Sequence, residues 1–336
     1  MRICICGGGN LGHVMAGFLA AQPGNEVTLL TRRPGQWHRE LVIDTPDGSL
    51  MRGTLAGIYD NAPQAVAGAD IVLLCLPGYS ISEVLLQIKD SVAPQTAVGS
   101  VVSSTGFFFE AMKVLPPQVT LFGFQRVPFI ARMTEYGHRA SLLGYKEQLN
   151  VAIERCDGKE LLRQQLEAVL HTPVALLGSY YEASLSNSNP LLHPARLYSL
   201  WKDWHEGVVY PRVPLFYEEW SEEASELYMA LDGELHELTS ALGMAQGSIA
   251  TALEYYESHD APSLAEKLRS IEAFKGLKAP MEAVPGGFVP NFKSRYFTED
   301  FPYGLGIVRR LLHENGICSP VTDMICGWGM DQLMIS

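Results

Sequence analysis

The chain opens Met1-Arg-Ile-Cys-Ile-Cys-Gly-Gly-Gly-Asn-Leu-Gly12, and no other stretch constrains the fold as tightly. The apolar run Ile3–Cys6 suits a buried strand, and Leu11, Val14, Met15, Phe18 and Leu19 then recur at helical spacing. Between them lies Gly7-x-Gly9-x-x-Gly12. Gly7 permits a tight turn, Gly9 leaves bare backbone for a diphosphate, and Gly12 lets the helix lie close to the strand. The first helical turn, through Asn10, Leu11 and Gly12, offers free N–H groups at the positive end of the helix dipole. The spacing predicts a dinucleotide-binding turn with Gly7, Gly9, Asn10, Leu11 and Gly12 against the cofactor.

A length of 336 residues suits two domains, predicted at 1–180 and 181–336. With 25 Lys+Arg against 37 Asp+Glu the net charge is −12, which argues against nucleic acid or an anionic membrane as partner. No apolar run reaches the roughly 20 residues of a membrane span. A strand begins where a charged leader would stand, so no signal peptide is expected. The six cysteines, Cys4, Cys6, Cys75, Cys156, Cys318 and Cys326, show no C-x-x-C spacing. They read as reduced thiols of a cytoplasmic enzyme without a metal site.

Strand and helix patterns alternate through the first half. Glu26–Thr31 and the continuous apolar run Ile71–Leu76 read as parallel strands, as do Ala97–Val102 and Val119–Phe124. Leu41–Ile58 carries an Asp47-Gly48 turn and predicts a hairpin; Arg139–Ala152 predicts another, returning to the sheet edge. Leu161–Leu170 is an amphipathic helix and Val174–Leu177 a last strand. The fold class is therefore α/β, an N-terminal Rossmann domain with a doubly wound, mostly parallel sheet. From Ser184 onward the pattern is helical, with Ala224, Leu227, Tyr228, Leu231, Leu235, Leu238 and Leu242 on one face and Gly243 as C-cap. An all-α C-terminal domain follows, with residues 280–305 as a long ordered loop and the site expected in the cleft between domains.

The end of the second strand meets the adenosine ribose in such folds. Here it reads Thr31-Arg32-Arg33-Pro34, with no carboxylate before Glu40. Thr31, Arg32 and Arg33 suit a 2′-phosphate, so NADP is expected over NAD, with NAD left open. Cys75 and Pro77, at the carboxyl edge of another strand, are placed along the cofactor.

Two later segments carry chemistry-bearing residues. One is Ser186–Trp201, with His193 between Leu192 and Pro194; the other is Asn291–Gly304, with Arg295, Glu299 and Asp300. The His193-Pro-Ala segment together with Arg295-Tyr-x-Thr-Glu-Asp-x-Pro-x-Gly304 closely resembles the octopine/nopaline (opine) dehydrogenases. Phe274-Lys-Gly-Leu-x-x-Pro-x-x-Ala-Val-x-Gly-Gly287 and Pro214-Leu-Phe-Tyr217 extend the match over nearly the whole chain. In overall plan such enzymes are similar to ketopantoate reductases, with a C-terminal domain like that of 6-phosphogluconate dehydrogenase.

The resemblance implies reductive condensation of an amino acid or amine with a 2-oxo acid through an imine. It implies His193 as general acid/base, Asp300 as its orienting carboxylate and Arg295 as the clamp on the oxo acid carboxylate. Imidazole suits proton transfer near neutrality, a carboxylate fixes its tautomer, and a guanidinium binds a carboxylate bidentately. Octopine dehydrogenases carry a Glu where this chain has Gln125, followed here by Arg126. Gln125 and Arg126 are therefore expected at the amine substrate, favouring an anionic or neutral donor over arginine. Two alternatives stand beside this reading, a ketopantoate-reductase-like 2-oxo acid reductase and a non-catalytic nucleotide-sensing protein. Neither the substrates' identities nor the oligomeric state is legible, and a homodimer is left open.

Overall fold

The computed structural model describes residues Met1–Ile335. The chain divides into two compact units, Met1–Ser184 and a second beginning at Leu185.

The first unit runs β1 (Arg2–Cys6), α1 (Asn10–Ala20), β2 (Glu26–Leu30), β3 (Glu40–Asp44), β4 (Leu50–Thr54), β5 (Gly57–Tyr59) and α2 (Ala62–Ala65). It continues with β6 (Ile71–Leu74), α3 (Gly78–Ile88), β7 (Ala97–Ser100), α4 (Phe107–Val114), β8 (Thr120–Phe124), β9 (Phe129–Glu135) and β10 (Arg139–Tyr145). β11 (Leu149–Glu154), α5 (Lys159–Leu170) and β12 (Val174–Leu176) complete it. The main sheet has eight strands in the order β12-β11-β8-β7-β6-β1-β2-β5. Its strands are parallel except where β11 meets β8 antiparallel. From β1 the chain moves outward through β2 to β5, then crosses to β6 and proceeds the other way. The strand order reverses at β1, and in doubly wound sheets ligands bind at the carboxyl ends beside such a reversal.

β1 and β6 are buried on both faces, as their unbroken apolar runs require. Ile3, Ile5 and Leu73 point into one apolar cluster, and Cys4, Cys6 and Leu74 into another on the opposite face.

One hairpin differs from the sequence expectation. Residues 139–152 do not form a single hairpin at the main sheet's edge. β10 turns back on β9 instead, pairs parallel with β3, and joins a separate four-stranded sheet, β4-β3-β10-β9. Only β11 reaches the main sheet. The turn is set by Gly137, whose φ is +73° and where an added Cβ would lie 2.0 Å from the Gln36 carbonyl oxygen. That close tertiary approach leaves no local sequence signature.

α6 (Tyr180–Leu185) carries the chain into the second unit, which holds α7 (Asn189–Trp201), α8 (Glu222–Ala241), α9 (Ala252–Tyr255) and α10 (Ala261–Ser270). After them come β13 (Met281–Val284), β14 (Gly287–Pro290), α11 (Arg295–Thr298), α12 (Gly306–Glu314) and α13 (Pro320–Ile335). Ser221 caps α8 by accepting from the Ala224 N–H at 3.2 Å, and Gly243, at φ +66°, ends it. The unit is helical but for one feature. Residues 280–305 are not a loop: they form the antiparallel β13–β14 hairpin, the short α11 and a π-helical turn, Phe301–Leu305. Gly287 at φ +151° packs against the Tyr210 carbonyl, a contact no turn pattern announces.

Candidate active site

At the carboxyl edge of the first unit's sheet lies a cavity of about 400 Å³. Gly7, Gly9, Thr31, Arg32, Arg33, Cys75 and Pro77 line it, joined by Asp60, Tyr79 and Tyr136. The three turn glycines do different work. Gly7 has φ +119°, and a Cβ there would lie 2.5 Å from the Cys75 carbonyl oxygen. A Cβ at Gly12 would lie 2.1 Å from the Gly7 carbonyl oxygen, so helix and strand approach only because it is absent. At Gly9 a Cβ would meet nothing within 4 Å, so that backbone faces open space. This cradle of bare backbone at a helix N-terminus fits a dinucleotide's diphosphate.

Asn10, Leu11 and Gly12 are not on the cavity wall. The Asn10 side chain is turned the other way, its Oδ1 accepting from the Met133 N–H at 3.0 Å. Arg32 and Arg33 are exposed and join no ion pair among the described residues. Asp60 reaches the same cavity because β5 pairs parallel with β2, where the Thr31 N–H donates to the Tyr59 carbonyl at 2.9 Å. The strand-end region thus holds a carboxylate after all, supplied by a neighbouring strand rather than by β2 itself. Burial in the apolar sheet raises the Cys75 thiol's pKa and keeps it protonated.

His13 anchors the turn from behind. Its Nδ1 bonds the Gly9 carbonyl at 2.9 Å, its Nε2 accepts from the Gly137 N–H at 2.7 Å, and the ring stacks on Trp37 at 4.1 Å. Burial lowers its pKa, which favours the neutral ring this pairing needs.

In the second unit His193 sits on α7 with only 8% exposure. Its Nδ1 lies 2.7 Å from Asp300 Oδ2, and its Nε2 lies 2.9 Å from the Tyr217 hydroxyl. Tyr296 and Phe216 present their rings edge-on to the imidazole at 4.6 and 5.7 Å. Asp300 is delivered by the α11 and π-turn segment. Gly304 allows that turn to lie on Pro190 of α7, where a Cβ would come within 2.8 Å, and buried Phe301 packs under Gly329 of α13.

Arg196, one turn after His193, is buried. Its guanidinium donates to the Phe216 carbonyl at 2.9 Å and the Glu219 carbonyl at 2.7 Å, which fixes the segment carrying Tyr217. Burial lowers its pKa to about 10, so it remains charged at neutral pH. Sequence reasoning missed Arg196; its one signal was a charge on an otherwise apolar helix. Arg295 is exposed on α11 and makes no ion pair among the described residues, leaving its fork available. In the first unit, Gln125 Oε1 accepts from Asn150 Nδ2 at 2.9 Å, and Arg126 beside it is half-buried.

A dinucleotide cradle on a doubly wound sheet, followed by a helical unit with a carboxylate-paired histidine, defines a class of two-unit oxidoreductases. Comparison with known proteins narrows that class. The family described as NAD/NADP octopine/nopaline dehydrogenase, alpha-helical domain, matches residues 176–333, and the ketopantoate reductase PanE/ApbA family matches residues 3–124. Octopine dehydrogenase of Pecten maximus is 26% identical across 99% of this chain and 90% of its own length. Tauropine dehydrogenase of Arabella iricolor is 27% identical across 97% of this chain and 90% of its own. The structure of octopine dehydrogenase with NADH and L-arginine superposes with a TM-score of 0.87 at 26% identity, covering 99% of this chain and 89% of that one. The chain is similar to the octopine/nopaline dehydrogenases over nearly its whole length. It is a nicotinamide-dependent oxidoreductase of the opine dehydrogenase type, with the Rossmann-plus-helical architecture expected from the sequence.

Proposed function

We propose that this enzyme is an NADP-dependent opine-type dehydrogenase, condensing an amino acid or amine with a 2-oxo acid and reducing the imine to a secondary amine. The hydrogen bond between His193 and Asp300 carries the reading: a histidine ring fixed by a carboxylate suits proton transfer beside a nicotinamide. The choice of substrate classes is supported by the relatives, octopine and tauropine dehydrogenases among them, and by the solved octopine dehydrogenase complexes with arginine, agmatine and pyruvate.

Gly7 and Gly9 would hold the diphosphate, Thr31, Arg32 and Arg33 the adenosine 2′-phosphate, and Cys75 and Pro77 the strand edge beside it. When bound, the nicotinamide supplies the hydride. His193 gives up a proton during imine formation and reduction, and takes one in reverse. Asp300 keeps the Nδ1–H directed at itself and favours the cationic ring when it forms. Arg295 binds the oxo acid carboxylate through its free guanidinium and so orients the reacting carbon. Gln125 and Arg126 face the amine donor and favour neutral or anionic amines over arginine. A cytoplasmic location goes with this chemistry.

The test is a screen of amino acids and amines, with taurine and arginine among them, against pyruvate and 2-oxoglutarate. Each is run with NADPH and with NADH and read by loss of reduced-nicotinamide absorbance and by product mass. Amine-dependent oxidation giving a secondary-amine acid is the expected result. Turnover of the oxo acid alone to a hydroxy acid overturns the reading in favour of a 2-oxo acid reductase.

A further inference from the structure

We infer that Tyr217 is a positioning residue of the proton-transfer group, holding the His193 ring through Nε2 as Asp300 holds it through Nδ1. The inference rests on the acid/base reading of His193 for its meaning, but its observations are independent of that reading.

The neutral ring donates Nδ1–H to the Asp300 carboxylate at 2.7 Å, so its Nε2 lone pair must accept. The Tyr217 hydroxyl stands 2.9 Å from that lone pair and donates to it. Both ring nitrogens are occupied, and no freedom of ring rotation remains. Tyr217 itself is 4% exposed and cannot drift: its ring stacks on Phe274 at 4.1 Å and lies parallel to Trp220. Its backbone belongs to the segment clasped by the Arg196 guanidinium through the carbonyls of Phe216 and Glu219. One helix therefore carries both the ring and, one turn on, the cation that sets the ring's hydroxyl partner.

The arrangement has a direction. Protonation at Nε2 turns that nitrogen into a donor, and the tyrosine hydroxyl must then accept and swing its own hydrogen away. Among the described residues the Tyr217 hydroxyl has no second acceptor for that hydrogen, and burial raises its pKa, so the phenolate is no alternative. The Tyr217 hydroxyl is therefore matched to the ring form in which Nε2 accepts and Nδ1 donates to Asp300. The remaining titratable groups around the pair are Tyr296 on α11, Tyr256 at the end of α9 and Arg196 on α7 itself, the last turned onto backbone carbonyls. Asp300 and Tyr217 thus hold the two nitrogens of one ring, each in a defined donor or acceptor role.

Tyr217→Phe keeps the ring stack and removes only the hydroxyl. Turnover with pyruvate and the best amine from the screen is expected to fall roughly tenfold in kcat, as loss of an orienting contact does, with KM for pyruvate and Kd for NADPH within about twofold. The limb of the pH–rate profile that His193→Gln abolishes is expected to move upward by about half a unit or more. An unmoved limb overturns the inference, whether kcat holds or falls together with KM. Histidine-selective 15N NMR tests the same contact without turnover, and so separates its failure from that of the functional reading. The Nε2 resonance lost in His193→Gln should move, in Tyr217→Phe, toward the position of an unbonded ring nitrogen; an unchanged resonance overturns the inference.

Discussion

Single side chains here act through what they hold. Nothing in the sequence marks His13, yet it ties the Gly9 carbonyl to the Gly137 amide across the first unit. Removing it orphans the buried Gly137 N–H and takes one of two donors from the Gly9 carbonyl, so His13→Ala should lose about 1–3 kcal/mol of stability in chemical denaturation. The pH dependence has a definite sign. Burial lowers the folded-state pKa of His13 below its ordinary value, while the unfolded chain takes up a proton near about pH 6.5. Its contribution is therefore full above that pH and is lost as pH falls toward the depressed folded value. Wild type should lose stability across that acidic window more steeply than His13→Ala, and equal slopes would show that the buried ring is not the cause. At the cavity, Arg32→Ala should weaken NADPH binding roughly ten- to a hundred-fold and leave NADH nearly unaffected. Equal losses, or a wild type that binds NADH better, would reject the phosphate contact. Gln125→Glu keeps an acceptor for Asn150 and should raise activity with arginine or lysine relative to neutral amines; an unchanged ranking of donors places that side chain away from the amine.

At the scale of elements, helix ends and crossings are secured by residues remote in sequence. The buried Glu234 of α8 accepts from the N–H groups of Val321 and Thr322 at 2.9 and 2.8 Å, capping α13 from a different helix. A carboxylate there satisfies two of the orphan donors and complements the helix dipole. Glu234→Ala should cost about 2–3 kcal/mol, and Glu234→Gln, which keeps one acceptor, about half that. Thermal melts of the two variants measure the difference, and a Gln variant no better than Ala would argue against capping. α1 and β1 meet through Gly12, and Gly12→Val should abolish dinucleotide binding because its Cβ cannot fit against the Gly7 carbonyl. Fluorescence titration with NADPH on folded protein, checked by circular dichroism, reads that loss directly.

For the molecule as a whole, the proposed reaction depends on residues that the chain keeps far apart. His193→Ala should lower kcat by roughly 10²–10⁴-fold at neutral pH with the cofactor dissociation constant nearly unchanged. Asp300→Asn should lose less and alter the pH–rate profile, because the ring loses its anionic partner. Arg295→Ala should act on a different constant, raising KM for the 2-oxo acid before any effect on cofactor binding. Steady-state kinetics with fluorescence binding separate the three, and losses identical in kind across all three variants would deny them distinct roles.

The sequence by itself determined what depends on neighbours in the chain. The strand, glycine turn and helix of the opening follow from local spacing, as do the unbroken apolar run of β6 and the spacing and end-caps of α8. Those local rules were enough for the fold class, because repeated strand–helix units admit few topologies. Tertiary structure alone decided what depends on approach between distant segments. β10 left the expected edge for a second sheet, Asp60 entered the cavity from β5, and residues 280–305 folded into a hairpin rather than a loop. His193 and Asp300 stood out by type and by resemblance to a family, whereas Tyr217 entered only as the end of a matching motif, without a role, and the Arg196 clasp did not stand out at all. A hydroxyl among many and a charge on an apolar helix take on meaning only when burial removes water and makes each polar atom find its partner inside the protein.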